Sequence, residues 1–95
     1  MQPGEYEAIT GGYHGDPFSI LGPHEEKGGW VVRALLPQAT SARVLLGEQR
    51  VEMKRVFEGG LFEAKLKDNP GVYRLELKLQ RGGSEVIEDP YRFGP

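Results

Sequence analysis

Polar and apolar residues alternate most clearly from Val72 to Leu79. Tyr73, Leu75, Leu77 and Leu79 share one face and Arg74, Glu76 and Lys78 share the other. Side chains alternate across a strand, so this pattern predicts an antiparallel strand with one face buried. Trp30-Val31-Val32-Arg33-Ala34-Leu35-Leu36 predicts a strongly apolar strand that Pro37 stops. Ala42–Leu46 predicts another strand, and Arg50–Arg55 one with Val51 and Met53 on a common face. Leu61–Leu66 places Phe62, Ala64 and Leu66 together, and Ser84–Glu88 predicts the last strand. Phe18–Leu21 is read as a short strand near the start. No segment repeats apolar residues at helical spacing for three turns. Glu5–Thr10 predicts about one helical turn, which Pro3-Gly4 starts.

Four Gly-Gly pairs, at 11–12, 28–29, 59–60 and 82–83, fall between the apolar segments. They are read as turns that need positive φ, and Gly82-Gly83-Ser84 as a hairpin turn. Asp16-Pro17 and Gly22-Pro23 are read as two further turns. Short strands separated by frequent turns predict an all-β fold: an immunoglobulin-like antiparallel β-sandwich of about seven strands. Residues 1–13 are expected to form an N-terminal extension, and residues 14–95 a single sandwich module. The expected core is Val32, Ala34, Leu36, Val44, Leu46, Phe62, Ala64, Leu66, Tyr73, Leu75 and Leu77.

Composition narrows the function. The chain has 95 residues, enough for one modest core. A catalytic barrel of about 250 residues does not fit. A net charge of −2 and no run of like charges beyond two residues argue against nucleic-acid binding. There is no cysteine, so disulfides and thiolate metal sites are excluded, and a cytoplasmic location is favoured. The N-terminus has no signal-peptide pattern, and no apolar run approaches membrane-span length.

Candidate chemistry is sparse. His14, Asp16 and His24 fit no metal-ligand spacing and lack a fourth ligand, so no metal is expected. Glu25-Glu26 and Glu88-Asp89 are adjacent pairs, which point to opposite sides of an extended chain and suit solvent. The Gly-Gly pairs belong to no phosphate-binding loop. No cofactor is expected.

Three segments carry a family resemblance. They are His14-Gly15-Asp16-Pro17-Phe18-Ser19-Ile20-Leu21-Gly22-Pro23-His24, Val32-Arg33-Ala34-Leu35-Leu36-Pro37-Gln38-Ala39 and Asp89-Pro90-Tyr91-Arg92-Phe93-Gly94-Pro95. In this order and spacing they resemble the first N-terminal module of bacterial 1,4-α-glucan branching enzymes, over residues 8 to 95. Gly60-Leu61-Phe62 and Val72-Tyr73-Arg74-Leu75 fit the same pattern. The resemblance implies a larger parent: two sandwich modules, a (β/α)8 barrel and a C-terminal β-domain. Such a parent cleaves an α-1,4 linkage and transfers the chain to a 6-hydroxyl by a retaining double displacement. The catalytic carboxylates belong to the barrel, so none is assigned here. The chain ends in mid-motif relative to the family, as expected for a piece of a longer protein.

The same resemblance directs attention to aromatic residues, because sugars stack their C–H faces on exposed rings. Related starch-binding sandwiches use a pair of tryptophans on neighbouring loops, and this chain has only Trp30. Loops 46–49 and 81–85 have no aromatic residue. Trp30 shares the inward face with Val32 and Ala34, so it is read first as a core-edge residue. Trp30 and Tyr91 are the candidate glucan-binding residues. Tyr91 and Phe93 are read as packing residues where the next module begins. Three functions stay open: a non-catalytic module that steadies the parent or influences transferred chain length, an autonomous α-glucan-binding module, and an unrelated immunoglobulin-like interaction domain. The expected partners are the remaining modules of the parent and α-glucan, with no nucleic acid and no membrane.

Overall fold

The computed structural model describes residues 3–11 and 19–92. They form one helix, α1 (Pro3–Thr10), and eight strands: β1 (Gly22–Glu26), β2 (Gly29–Leu35), β3 (Ala39–Leu46), β4 (Gln49–Glu52), β5 (Lys54–Phe57), β6 (Leu61–Leu66), β7 (Arg74–Leu79) and β8 (Ser84–Glu88). One sheet has the order β1-β2-β6-β5 and the other β4-β3-β7-β8. All pairings are antiparallel. The predicted all-β sandwich is therefore the observed architecture.

The inner faces meet where alternation places them. Val32, Ala34, Phe62 and Ala64 come from the first sheet, and Ala42, Val44, Leu75, Leu77 and Leu79 from the second. Tyr73, Leu36, Ala39 and Met53 complete this buried cluster. Leu46 and Leu66, expected within the core, are only half-buried and pack against it. They stand at the last positions of β3 and β6, where the sandwich opens.

Several segments depart from the sequence reading. Arg50–Arg55 is not one strand. β4 belongs to the second sheet and β5 to the first, with buried Met53 between them donating its N–H to the Ala42 carbonyl at 2.9 Å. Sandwich corners form in this way, by a strand changing sheets. Alternation survives such a corner, so the break leaves no trace in the pattern. Beyond it, the Arg55 guanidinium lies 5.3 Å from the Phe62 ring centre and donates to the Ala39 carbonyl at 3.0 Å. Gly22-Pro23 is not an isolated turn but the start of edge strand β1, a place where the missing proline N–H is tolerated. Ser19-Ile20-Leu21 is not a strand, and Phe18 lies outside the described residues. Gly28, Gly59, Gly60, Gly82 and Gly83 do take positive φ in turns.

Unlike β7, β2 has no solvated face along its centre. Val31, Val32, Arg33 and Ala34 are all buried, so both faces of this strand are covered. Leu35, at the end of the strand, packs on a second apolar cluster on the outer face: Ile9 of α1, Ile20, Leu21 and Leu61, with Val56, Phe57 and Tyr91 also against it. The helix is two turns long rather than one, and Ile9 ties it to the sandwich. Arg33, 6% exposed, shares this face and is held by Glu63 at 2.9 Å and Glu26 at 2.7 Å. Burial opposes its charge, but the hydrogen bonds to Glu26 and Glu63 outweigh burial, and its pKa moves up. The same bond, against a smaller burial effect, lowers the pKa of Glu26.

Candidate functional site

Two features stand out: a polar clamp on the C-terminal segment and a cleft beside Trp30. The clamp joins Tyr73, the residue before β7, to residues 88–92. Tyr73 is 1% exposed and Asp89 2% exposed. The Tyr73 hydroxyl donates to Asp89 Oδ2. Asp89 Oδ1 accepts the Tyr91 N–H at 3.0 Å, an Asx turn that folds the chain back on itself. Arg92 donates through Nη1 to the Tyr73 carbonyl at 3.3 Å and pairs with Glu88 at 2.9 Å. Glu88-Asp89 is thus not a solvated pair: Glu88 is exposed, whereas Asp89 is buried and bonded on both oxygens. Opposite the clamp, Gly22 has φ 88°, and a Cβ there would meet the Tyr91 carbonyl oxygen at 2.3 Å. Only glycine admits Tyr91 so close to β1.

The Tyr73 phenol titrates above its ordinary range, chiefly because burial disfavours phenolate and next because the Asp89 carboxylate accepts its proton and repels the anion. The unfolded phenol ionises near pH ~10. Above that pH the unfolded chain releases a proton that the folded chain keeps, so stability falls as pH rises. Below it, this contribution is fully present. Urea midpoints measured from pH 8 to 11 should fall for the wild type and fall less steeply for Tyr73→Phe. Parallel curves would show that the phenol does not titrate as described.

The cleft is open and measures about 670 Å³. It is lined by Trp30, by Glu25–Gly29 of the β1–β2 hairpin, and by Lys67, Asp68 and Asn69 of the β6–β7 loop. Gly29 lets the hairpin sit tightly on the end of β6, since a Cβ there would meet the Leu66 carbonyl oxygen at 2.6 Å. The Gly71 N–H donates to Asn69 Oδ1 at 2.9 Å and shapes the loop. A second cleft of about 630 Å³, lined by Leu46, Val51, Leu66 and Pro70, lies against the same Lys67–Asn69 segment.

The structure separates the sequence-derived candidates. Trp30 is half-buried at the start of β2, opposite Glu25 and Leu66. Tyr91 packs on the outer-face cluster beside Gly22, three rungs along β1–β2 from the Glu25–Trp30 pair. They do not form one site. Phe93 lies outside the described residues, as do His14 and Asp16. His24 Nε2 lies 2.9 Å from the Leu21 carbonyl oxygen. Among the described residues no three His, Asp or Glu side chains form a metal-binding group. Glu26, held anionic by Arg33, has the opposite of a general acid's raised pKa. The Lys67–Asn69 segment was missed because charged and amide residues after a strand look like any solvated turn.

These features define a two-sheet β-sandwich module with a clamped C-terminal segment. The same fold occurs in a pullulanase from Bacillus acidopullulyticus, with TM-score 0.62 and 21% identity over 75% of this chain and 10% of that one. A pullulanase from Paenibacillus barengoltzii gives TM-score 0.60 and 17% identity over 88% of this chain and 16% of that one.

The chain belongs to the family described as the N-terminal domain of alpha-1,4-glucan branching enzyme GlgB, whose model matches residues 2–91. It is 46% identical over its whole length to the 1,4-alpha-glucan branching enzyme GlgB of Paramagnetospirillum magneticum, of which it spans 13%. It is 49% identical over 93% of its length to the enzyme of the same name from Rubrobacter xylanophilus, of which it spans 12%. The chain therefore spans about an eighth of the length of these relatives. This membership sets aside the unrelated interaction domain. Among the described residues no helix is long and apolar enough to cross a membrane.

Proposed function

We propose that this chain is a non-catalytic module of a 1,4-α-glucan branching enzyme and that it sets how the following part of the enzyme is held, thereby influencing the length of the transferred chain. The observation that carries this reading is the clamp of Tyr73, Asp89 and Arg92, which fixes residues 89–92 against the sandwich instead of leaving a loose linker. The similar protein of Paramagnetospirillum magneticum is named a 1,4-alpha-glucan branching enzyme, and the family resemblance implies a parent that cleaves an α-1,4 bond and moves the chain to a 6-hydroxyl. The reading includes a cytoplasmic location, which the absence of cysteine favours. Its partners are the remaining modules of the parent, which Tyr91 and Phe93 help to seat.

The parent enzyme with and without residues 1–92 tests the proposal. Deletion should change the length profile of transferred chains and lower thermal stability, while measurable branching persists. Unchanged rate, profile and stability would refute a module role, and complete loss of branching in a folded truncated enzyme would refute the non-catalytic assignment.

A further inference from the structure

We propose that β8 is a pairing edge: it joins, antiparallel and about a two-fold axis at Val86, to β8 of a second copy of this chain. The two β4-β3-β7-β8 sheets then run on as one continuous sheet. The pairing goes beyond the branching-enzyme reading and does not rest on it.

Among the described residues, β8 is the least protected of the edge strands. β1 carries Pro23, which has no N–H to offer. β5 is interrupted by a register shift between Arg55 and Phe57. β4 is four residues long and ends at the Met53 corner. Proline, bulges and shortness are devices that keep an edge from pairing. β8 has no proline, and its five residues match β7 from Lys78↔Ser84 to Arg74↔Glu88 without a shift. Its central residue, Val86, is 48% exposed.

The direction of the free backbone groups fixes the register. The Leu79 N–H donates to the Gly83 carbonyl at 3.0 Å, so these two residues form a hydrogen-bonded pair. Such pairs alternate along an antiparallel ladder. Leu77–Glu85 and Leu75–Ile87 are therefore bonded pairs, and the N–H and C=O groups of Ser84, Val86 and Glu88 face away from β7. With Val86 opposite Val86 of the second copy, and Ser84 opposite its Glu88, each outward donor meets an outward acceptor. A slide of two residues one way sets Glu85 opposite Glu85, a like-charge pair. A slide the other way sets Ser84 opposite Pro90, which cannot donate.

The side chains select a second copy as the occupant. Ser84, Val86 and Glu88 pair with Lys78, Glu76 and Arg74 and share their outer face. Across the proposed joint this face runs Lys78, Ser84, then Glu88 and Arg74 of the second copy. Lys78 and that Glu88 are two strand spacings apart, about 10 Å between Cα atoms, with only a serine between them. Two long side chains of opposite charge bridge such a gap, and the two-fold repeats the contact. Arg92 steadies Glu88 at 2.9 Å but leaves its side chain 65% exposed. On the inner side Glu85 stands opposite Ile87. It nears its own counterpart only diagonally, at roughly 8 Å, where exposed like charges repel weakly.

So small an interface gives a weak dimer, which is read at high concentration. Sedimentation equilibrium and backbone amide resonances of the 95-residue chain test it. The chain should dimerise with a Kd of about 1 mM or tighter. The amides of Ser84, Val86 and Glu88 should shift with concentration, and those of β1 should not. Val86→Pro should weaken the dimer at least about tenfold and leave the monomer folded, because the Val86 N–H makes no bond to β7. Lys78→Glu and Glu88→Lys should each weaken it about threefold or more. An equimolar mixture of those two variants should dimerise more tightly than either one, since each new charge then faces its opposite. A chain still monomeric at about 2 mM would overturn the proposal. So would shifts confined to other surfaces, a dimer that survives Val86→Pro, or a mixture no tighter than its components. Each of these outcomes leaves the module role standing, because that role is read in the parent enzyme by deletion.

Discussion

Leu75→Ala should lower the unfolding free energy by about 2–5 kcal/mol. Leu75 is 1% exposed near the start of β7, paired with Val44 of β3 and Ile87 of β8. It faces a cluster built by both sheets, so neither layer can collapse into the space left without moving strands held by backbone hydrogen bonds on both sides. A domain of this size has a total stability of about 5–15 kcal/mol, so the loss removes a large share. The urea midpoint should drop with little change in slope, because the surface exposed on unfolding hardly differs. A loss below about 1 kcal/mol would contradict the placement of Leu75 at the centre of the sandwich.

Asp89→Ala should cost about 2–4 kcal/mol, although it removes a charge and no large apolar group. The carboxylate accepts from the Tyr73 hydroxyl and from the Tyr91 N–H. Its removal leaves the Tyr73 hydroxyl buried without its acceptor and opens the turn that brings Tyr91 to Gly22. Leaving a buried donor unsatisfied costs more than removing both partners. The double variant Tyr73→Phe/Asp89→Ala should therefore lose less than the sum of the two single changes, as a double-mutant cycle reports. Simple additivity would mean that the two side chains do not act as a pair. Asp89→Asn, which keeps an acceptor oxygen, should lose less than Asp89→Ala.

The contrast between these residues shows what a sequence can carry. Leu75 belongs to an alternating run, and alternation is a local property that names the buried face directly. Asp89 is buried because Tyr73 reaches it from sixteen positions away, and nothing near Asp89 in the chain records that meeting. Edge strand β1 was hidden for a related reason. Gly22-Pro23-His24-Glu25-Glu26 has no apolar alternation, and its strand character comes from backbone pairing with β2. In β2 the apolar run was visible, but the second cluster on which its Leu35 packs is built by distant residues such as Ile9, Leu21 and Leu61. Trp30 could be singled out as the one tryptophan, whereas its neighbours Lys67 and Asn69 join it only through the seat of the β1–β2 hairpin on the end of β6. The DPYR run at 89–92 was recognisable as a family feature, and its physical reason is the clamp.

The central claim is that the module acts on the parent enzyme through this clamped exit. It is tested most directly by inserting about eight Gly/Ser residues after Pro95 in the full-length parent, a flexible spacer that leaves the sandwich untouched and uncouples its orientation. The debranched product is then profiled for chain length beside those of the wild type and of the enzyme lacking residues 1–92. The account predicts that the spacer moves the profile away from the wild type and toward that of the deletion. A spacer profile that overlays the wild type, while the deletion profile differs, would contradict it.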